Sequence, residues 1–153
     1  MENSIHPFSH SDFSSGAETE VPEKIQVVDE QGSTSISYII RLNGKDYFMK
    51  RLRPELQAHE VYRNLYRKEF ELGISFSSPY IVAYNKLKDD EEDMYILREN
   101  VVGATLKEKL TTAPEYFHKS SNIMRLMLQL LEALRHIHER QVVHADLKPD
   151  NIM

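Results

Sequence analysis

The chain has 153 residues, 41% apolar and 28% charged, values suited to one globular domain rather than two or a wholly disordered chain. With 19 basic and 24 acidic residues the net charge is −5, which argues against general nucleic-acid binding because that needs a basic footprint. Zero Cys excludes disulfides and thiolate metal sites, no run of 18 apolar residues offers a membrane span, and Met1-Glu2-Asn3-Ser4 lacks a secretory pattern, so a cytoplasmic setting is expected.

Residues 1–20 are rich in Ser, His and acids and read as a flexible tail. His6 and His10 lie in it, and two lone imidazoles on a tail more often bind nothing. Ile25, Val27 and Val28 suggest a first strand. Ser35 to Leu42 is β-branched and aromatic, hence a second strand. Asn43-Gly44 is a two-residue hairpin signal, and Asp46 to Leu52 returns as a third strand. Leu56, His59, Val61, Tyr62, Leu65, Tyr66, Phe70 and Leu72 recur at helical steps. They predict a helix over about 54–72, with Pro54 in its first turn and Gly73 as a stop.

Ile81 to Tyr84 and Met94 to Leu97 read as two more strands. The acidic run Asp89-Asp90-Glu91-Glu92-Asp93 between them reads as a solvated turn rather than a metal site. Leu106 and Leu110 mark a short helix. Ser120 or Ser121 is expected to cap a long helix through Arg140, whose stripe Ile123, Met127, Leu130, Leu131, Leu134 and Ile137 reads as core packing. The order predicts an α+β fold, a small antiparallel sheet with one helix joined to a helical region.

The chain ends His144-Ala145-Asp146-Leu147-Lys148-Pro149-Asp150-Asn151-Ile152-Met153. This resembles the catalytic loop of eukaryotic-type Ser/Thr protein kinases, H-R-D-L-K-P-x-N. Phosphoryl transfer to a hydroxyl needs a carboxylate to orient the attacking oxygen and accept its proton, positive charge near the transferring group, and a hard oxygen ligand for Mg²⁺. By this resemblance Asp146 takes the first role, Lys148 the second and Asn151 the third, with ATP and Mg²⁺ as implied cofactors and a protein as substrate.

The upstream residues fit the same resemblance. Lys50 ends the third strand in Tyr47-Phe48-Met49-Lys50, matching the lysine that holds the α- and β-phosphates. Glu69 follows 69 − 50 = 19 residues later in the helix, matching its ion-pair partner; Lys68 and Glu71 should face elsewhere. Met94 to Gly103 resembles the fifth strand and hinge, so backbone groups at Glu99 and Val101 are expected to bind adenine. Gly32-Ser33-Thr34-Ser35-Ile36-Ser37-Tyr38-Ile39 is the match to the glycine-rich loop G-x-G-x-x-G-x-V. Gly32 and Ile39 keep their types, while Thr34 and Ser37 replace the other glycines.

Three further positions depart from the family pattern. Phe48 stands where the family has Ala against adenine. Arg98 stands at the gatekeeper, where a buried guanidinium needs a partner; Glu69 could supply it, drawn away from Lys50 in an inhibitory arrangement. Ala145 replaces the Arg that pairs with a phosphorylated activation loop.

The resemblance covers about 24–153, roughly the first half of such a domain. It implies a complete five-stranded small lobe with one helix and the start of the hinge over 21–100. The start of a large lobe follows over 101–153, ending in the catalytic loop. A truncated chain with little or no catalysis is expected, its long helix exposing an apolar stripe open to self-association. A pseudokinase acting as a binding or scaffold module is the rival, favoured by Phe48, Arg98 and the missing glycines. A small-molecule hydroxyl kinase is disfavoured by Lys148-Pro149.

Overall fold

The computed structural model describes residues 24–91 and 93–153; the tail expected over 1–20, with His6 and His10, lies outside them. Five strands form one antiparallel sheet: β1 (Lys24–Asp29), β2 (Ser35–Leu42), β3 (Lys45–Leu52), β4 (Tyr84–Asp89) and β5 (Met94–Glu99), in the order β1-β2-β3-β5-β4. The helices are α1 (Glu60–Ile74), α2 (Leu106–Thr112) and α3 (Ser120–His138). The architecture is the expected α+β class, a five-stranded sheet with one helix followed by further helices. The chain divides into two units, residues 24–72 with 84–100, and residues 73–83 with 101–153.

In the first unit the β2–β3 hairpin closes through Asn43 and Gly44, with φ of +50° and +73°. Both central residues of a tight two-residue turn must adopt such angles, and Asn and Gly do so at least cost. Alternation along the strands makes two cores. Tyr38, Ile40, Leu42, Met49, Tyr95 and Leu97 pack together on one face of the sheet. Leu52, Met94 and Ile96 join Tyr66 of α1 on the other, flanked by Tyr62, Phe70, Tyr84 and Leu87.

The helix starts later than its sequence suggests. Pro54–Leu56 makes a separate 3-10 turn, and α1 begins at Glu60. Gln57 accounts for the break: its amide donates to the Leu52 carbonyl (3.2 Å) and to Asp93 Oδ1 (2.9 Å), tying the turn to the sheet. Gly73 does not stop α1, which runs on to Ile74. Val61, Leu65 and Leu72 are exposed, so the buried stripe is narrower than the periodicity implied. The strand predicted at Ile81 begins only at Tyr84.

The acidic turn is not simply solvated. Asp93 is 2% exposed, and its Oδ1 receives Arg51 Nε (2.8 Å), Gln57 Nε2 and the Met94 N–H (2.8 Å). Asp89 accepts from Arg63 and Arg67, both on α1. Arginine side chains that reach back from the helix and sheet convert a charge run into a brace between them.

Arg67 above all, and Arg63 with it, hold the Asp89 carboxyl below the usual carboxylate range against an opposing desolvation. A lowered folded-state pKa contributes stability that is present above about pH 4 and is lost as pH falls through the folded value. Asp89→Asn is therefore expected to lower stability most at neutral pH and to converge with the wild type in acid, so that the acid limb of an unfolding-against-pH curve flattens. An unchanged acid limb would contradict the brace.

In the second unit α2 opens with a reciprocal cap. Thr105 Oγ1 accepts from the Glu108 N–H (3.1 Å) and Glu108 Oε2 from the Thr105 N–H (2.7 Å). The expected serine cap on α3 is absent; Lys119 occupies the cap position without a side-chain bond, and Asn122 anchors the first turn by donating to the Tyr116 carbonyl (2.7 Å). At the far end Gln141 takes φ +58°, and the Gln141 and Val142 N–H groups donate to the His138 and Ile137 carbonyls, closing the helix in a left-handed turn.

The α3 stripe is not a core. Ile123, Met127 and Leu131 are about half exposed, and only Ile137 is buried. The helix carries more apolar positions than its described neighbours cover, since Tyr116 touches its first turn and Phe76, against His136, its last.

Candidate active site

The first unit carries the residues matched to nucleotide binding. Strand alternation buries Met49 and Leu52 on opposite faces and leaves Lys50 on the face that α1 covers. Tyr62, Tyr66 and Phe70 seat α1 against that face, and Glu69 rides beside them. Lys50 Nζ meets Glu69 Oε2 at 2.6 Å, both side chains about a third exposed. The ammonium also lies over the Tyr66 ring, 5.2 Å from its centroid. Lys68 and Glu71 are exposed.

Arg98 does not take Glu69. Its guanidinium lies over the Phe48 ring at 4.2 Å, directly across the β3–β5 pairing, and reaches the Tyr84 hydroxyl. Tyr84 in turn donates to Glu69 Oε1 (3.3 Å). The inhibitory pairing expected from sequence is thus replaced by a relay: Phe48, Arg98, Tyr84, Glu69, Lys50. Burial, with the Glu69 carboxylate nearby, raises the Tyr84 phenol above its ordinary range, so it stays a donor. The stacked guanidinium satisfies part of its charge on an aromatic face, an interaction worth roughly 0.5–2 kcal/mol. In the sequence Tyr84 is a strand residue whose spacing carries no sign of this contact.

Ile39 pairs with Phe48, and Ser37 pairs with Lys50, so the stretch matched to the glycine-rich motif runs alongside the anchor strand. Gly32 lies in the β1–β2 loop. A Cβ there would sit 2.8 Å from the Ser35 carbonyl oxygen, so the close approach requires glycine. Glu99 ends β5 opposite Tyr47, and Val101 is exposed just beyond it.

The second unit carries the loop His144–Asn151. Ala145 has φ +60°, a strained angle for alanine that turns the chain so that the Asp146 N–H donates to the His144 carbonyl (2.8 Å). Asp146 Oδ2 lies 3.0 Å from Lys148 Nζ and accepts from Asn151 Nδ2 at 3.0 Å; Nδ2 also donates to the Asp146 carbonyl (2.8 Å). Lys148, then Asn151, hold the Asp146 carboxyl below the usual carboxylate range. Lys107 Nζ binds Asp150 (2.7 Å), and the Leu106 N–H donates to the Ile152 carbonyl (2.7 Å), so α2 fixes the end of the loop.

Asn151 fits a hard cation: with its NH₂ committed to Asp146, its amide oxygen, a donor of the kind Mg²⁺ takes, is turned away from that carboxylate. Among the described residues no group of three or more His, Asp or Glu is placed to hold a metal. No helix among them is long and apolar enough to cross a membrane.

A family model described as "Protein kinase domain" matches residues 30–153. Serine/threonine-protein kinase PrkC of Bacillus subtilis is 33% identical over 110 residues, covering 71% of this chain and 16% of that protein. Serine/threonine-protein kinase Nek6 of Oryza sativa is 31% identical over 136 residues, covering 86% of this chain and 25% of that protein. Among solved structures, the apo form of PpkA-294 superposes with a TM-score of 0.69 at 20% identity, over 82% of this chain and 51% of that one. The kinase domain of PknI from M. tuberculosis gives 0.61 at 19%, over 89% and 56%. These structures share the fold, and this chain spans a quarter or less of the two curated relatives.

Proposed function

This chain belongs to the protein kinase family, and from that premise we propose that it carries the nucleotide anchor and catalytic loop of an ATP-dependent transfer of phosphate to Ser or Thr hydroxyls of proteins. The observation that carries the reading is the Lys50–Glu69 pair at 2.6 Å, which joins β3 to α1. An ammonium held by a carboxylate keeps a fixed position against two phosphates instead of sampling solvent.

In this reading Lys50 binds the α- and β-phosphates and Glu69 orients it. Gly32 and Ile39 border the nucleotide, and backbone groups at Glu99 and Val101 bind adenine. Asp146 orients the substrate hydroxyl and takes its proton at a carboxylate oxygen. Lys148, now paired with Asp146, places positive charge beside the transferred group. Asn151 offers its amide oxygen to Mg²⁺, which when bound would offset phosphate charge.

The proposal assigns 21–100 to the small lobe and start of the hinge, and 101–153 to the start of the large lobe. A protein substrate, no nucleic-acid or membrane partner, a cytoplasmic setting and self-association through the exposed α3 stripe belong to it.

The test is thermal unfolding with ATP, with and without Mg²⁺. A ligand of the folded state raises the midpoint by mass action. A Mg²⁺-dependent rise that Lys50→Met abolishes is the expected result; an equal rise in Lys50→Met would overturn the anchor. The Arg98–Phe48 stack favours one other reading, a pseudokinase that serves as a binding or scaffold module with its adenine position filled. That reading expects no shift in the wild type and a shift in Phe48→Ala.

A further inference from the structure

The β1–β2 loop is held by a residue outside it. Arg53, just after β3, donates from Nε to the Gly32 carbonyl (2.8 Å) and from Nη2 to the Glu30 carbonyl. Its backbone N–H donates to the Thr34 carbonyl (3.0 Å). Ser35 pairs with Leu52, so this last bond extends the β2–β3 ladder by one step and sets Arg53 beside the loop. Three alternate carbonyls, at 30, 32 and 34, thus converge on one arginine. Asp29 Oδ1 adds a bond from the Gln31 N–H (2.8 Å), and Glu55 stands 3.7 Å from Arg53 Nη1.

A loop with Thr34 in place of a glycine, leading into β2 where Ser37 replaces another, has less backbone freedom to fold around an anion. Its carbonyl oxygens carry partial negative charge and repel phosphate unless they are turned away or neutralised. A guanidinium supplies a rigid fork for two such oxygens, and charge-assisted bonds of this kind are stronger than neutral ones. Peptides whose carbonyls are gathered on one side are better placed to present N–H groups to an anion on another.

We infer that Arg53 is a positioning residue for phosphate binding: it gathers the Glu30 and Gly32 carbonyls so that the β1–β2 loop is preorganised for the nucleotide's phosphates despite the missing glycines. The inference rests on the proposed nucleotide site. It adds to that site a residue three positions beyond Lys50, outside the loop it orders.

The experiment measures the affinities of the 153-residue chain for ATP with Mg²⁺ and for adenosine, in the wild type, Arg53→Ala, Arg53→Lys and Lys50→Met. Arg53→Ala is expected to weaken ATP about tenfold, the scale of one charge-assisted hydrogen bond, with adenosine unchanged. Arg53→Lys should recover only part of this, because a single ammonium does not reproduce the fork. Amide exchange over 30–34 should quicken in Arg53→Ala without nucleotide. A general loss of fold would weaken adenosine equally, and that outcome, or unchanged ATP affinity, overturns the inference. If Lys50→Met loses ATP while Arg53→Ala does not, the loop inference falls alone. If the wild type binds no ATP, or Lys50→Met binds it as well as the wild type, the nucleotide site falls and the inference with it.

Discussion

Asp146→Asn is expected to lower phosphate transfer about a hundred- to ten-thousand-fold, the usual contribution of a positioned general base, while leaving nucleotide affinity nearly unchanged. The replacement keeps the shape of the side chain and an oxygen that can accept from Asn151, which sits 3.0 Å from Oδ2. It removes the negative charge that faces Lys148 and the capacity to take a proton. Transfer is measured in a chain long enough to hold a whole kinase domain, and binding in the 153-residue chain. Because Lys148 and Asn151 lower the Asp146 pKa, the acid limb of the rate profile should lie below the ordinary carboxylate range. Equal turnover in the wild type and Asp146→Asn would remove Asp146 from the mechanism.

Asp93→Ala is expected to cost about 3–5 kcal/mol, the range for removing one partner of a buried ion pair. Oδ1 of this carboxylate, 2% exposed, accepts from Arg51, Gln57 and the Met94 N–H, and the Arg51 side chain is 11% exposed. Truncation leaves the Arg51 guanidinium, which also bonds the Tyr38 side chain, without its carboxylate. It also unties the Gln57 turn that leads into α1. Folded domains are stable by only about 5–15 kcal/mol, so a loss of this size is a large share. Urea unfolding followed by circular dichroism should show a lower midpoint with an unchanged slope. Asp93→Asn, which keeps an acceptor oxygen, should fall between the two. A loss in Asp93→Ala below about 1 kcal/mol would place the residue at the surface in solution.

Both predictions concern acidic residues, of which the sequence marked one and misplaced the other. The grouping of Asp146 with Lys148 and Asn151 was legible because the three stand at set intervals on one short loop, and a loop motif lies together before any folding. The Lys50–Glu69 pair was legible through the family resemblance, whose lysine-to-glutamate spacing the 19-residue step matches, and the two meet at 2.6 Å. The capping box of α2 is local in the same way as the loop motif, as Thr105 and Glu108 stand three apart.

Asp93 looked like one of five acids in a solvated turn. Its burial depends on Arg51, 42 residues away in sequence. Arg53's grip on Glu30 and Gly32 spans 23 and 21 residues and has no local mark.

The sequence by itself determined what local patterns encode: four of the five strands by their β-branched and aromatic runs, with the fourth expected at 81–84 and found at Tyr84–Asp89, the Asn43-Gly44 hairpin by the φ those residues tolerate, three helices by period, and the family by its loop motif. Only the tertiary structure decided which charged groups meet. It placed Arg98 on Phe48 and Tyr84 rather than on Glu69, began α1 at Glu60 once Gln57 bound the sheet, and left most of the α3 stripe exposed. The physical reason is that periodicity reports a side chain's face within its own element. Partners across elements are chosen by register and reach, and a long cation such as arginine can satisfy its charge at several places that the fold brings within its reach.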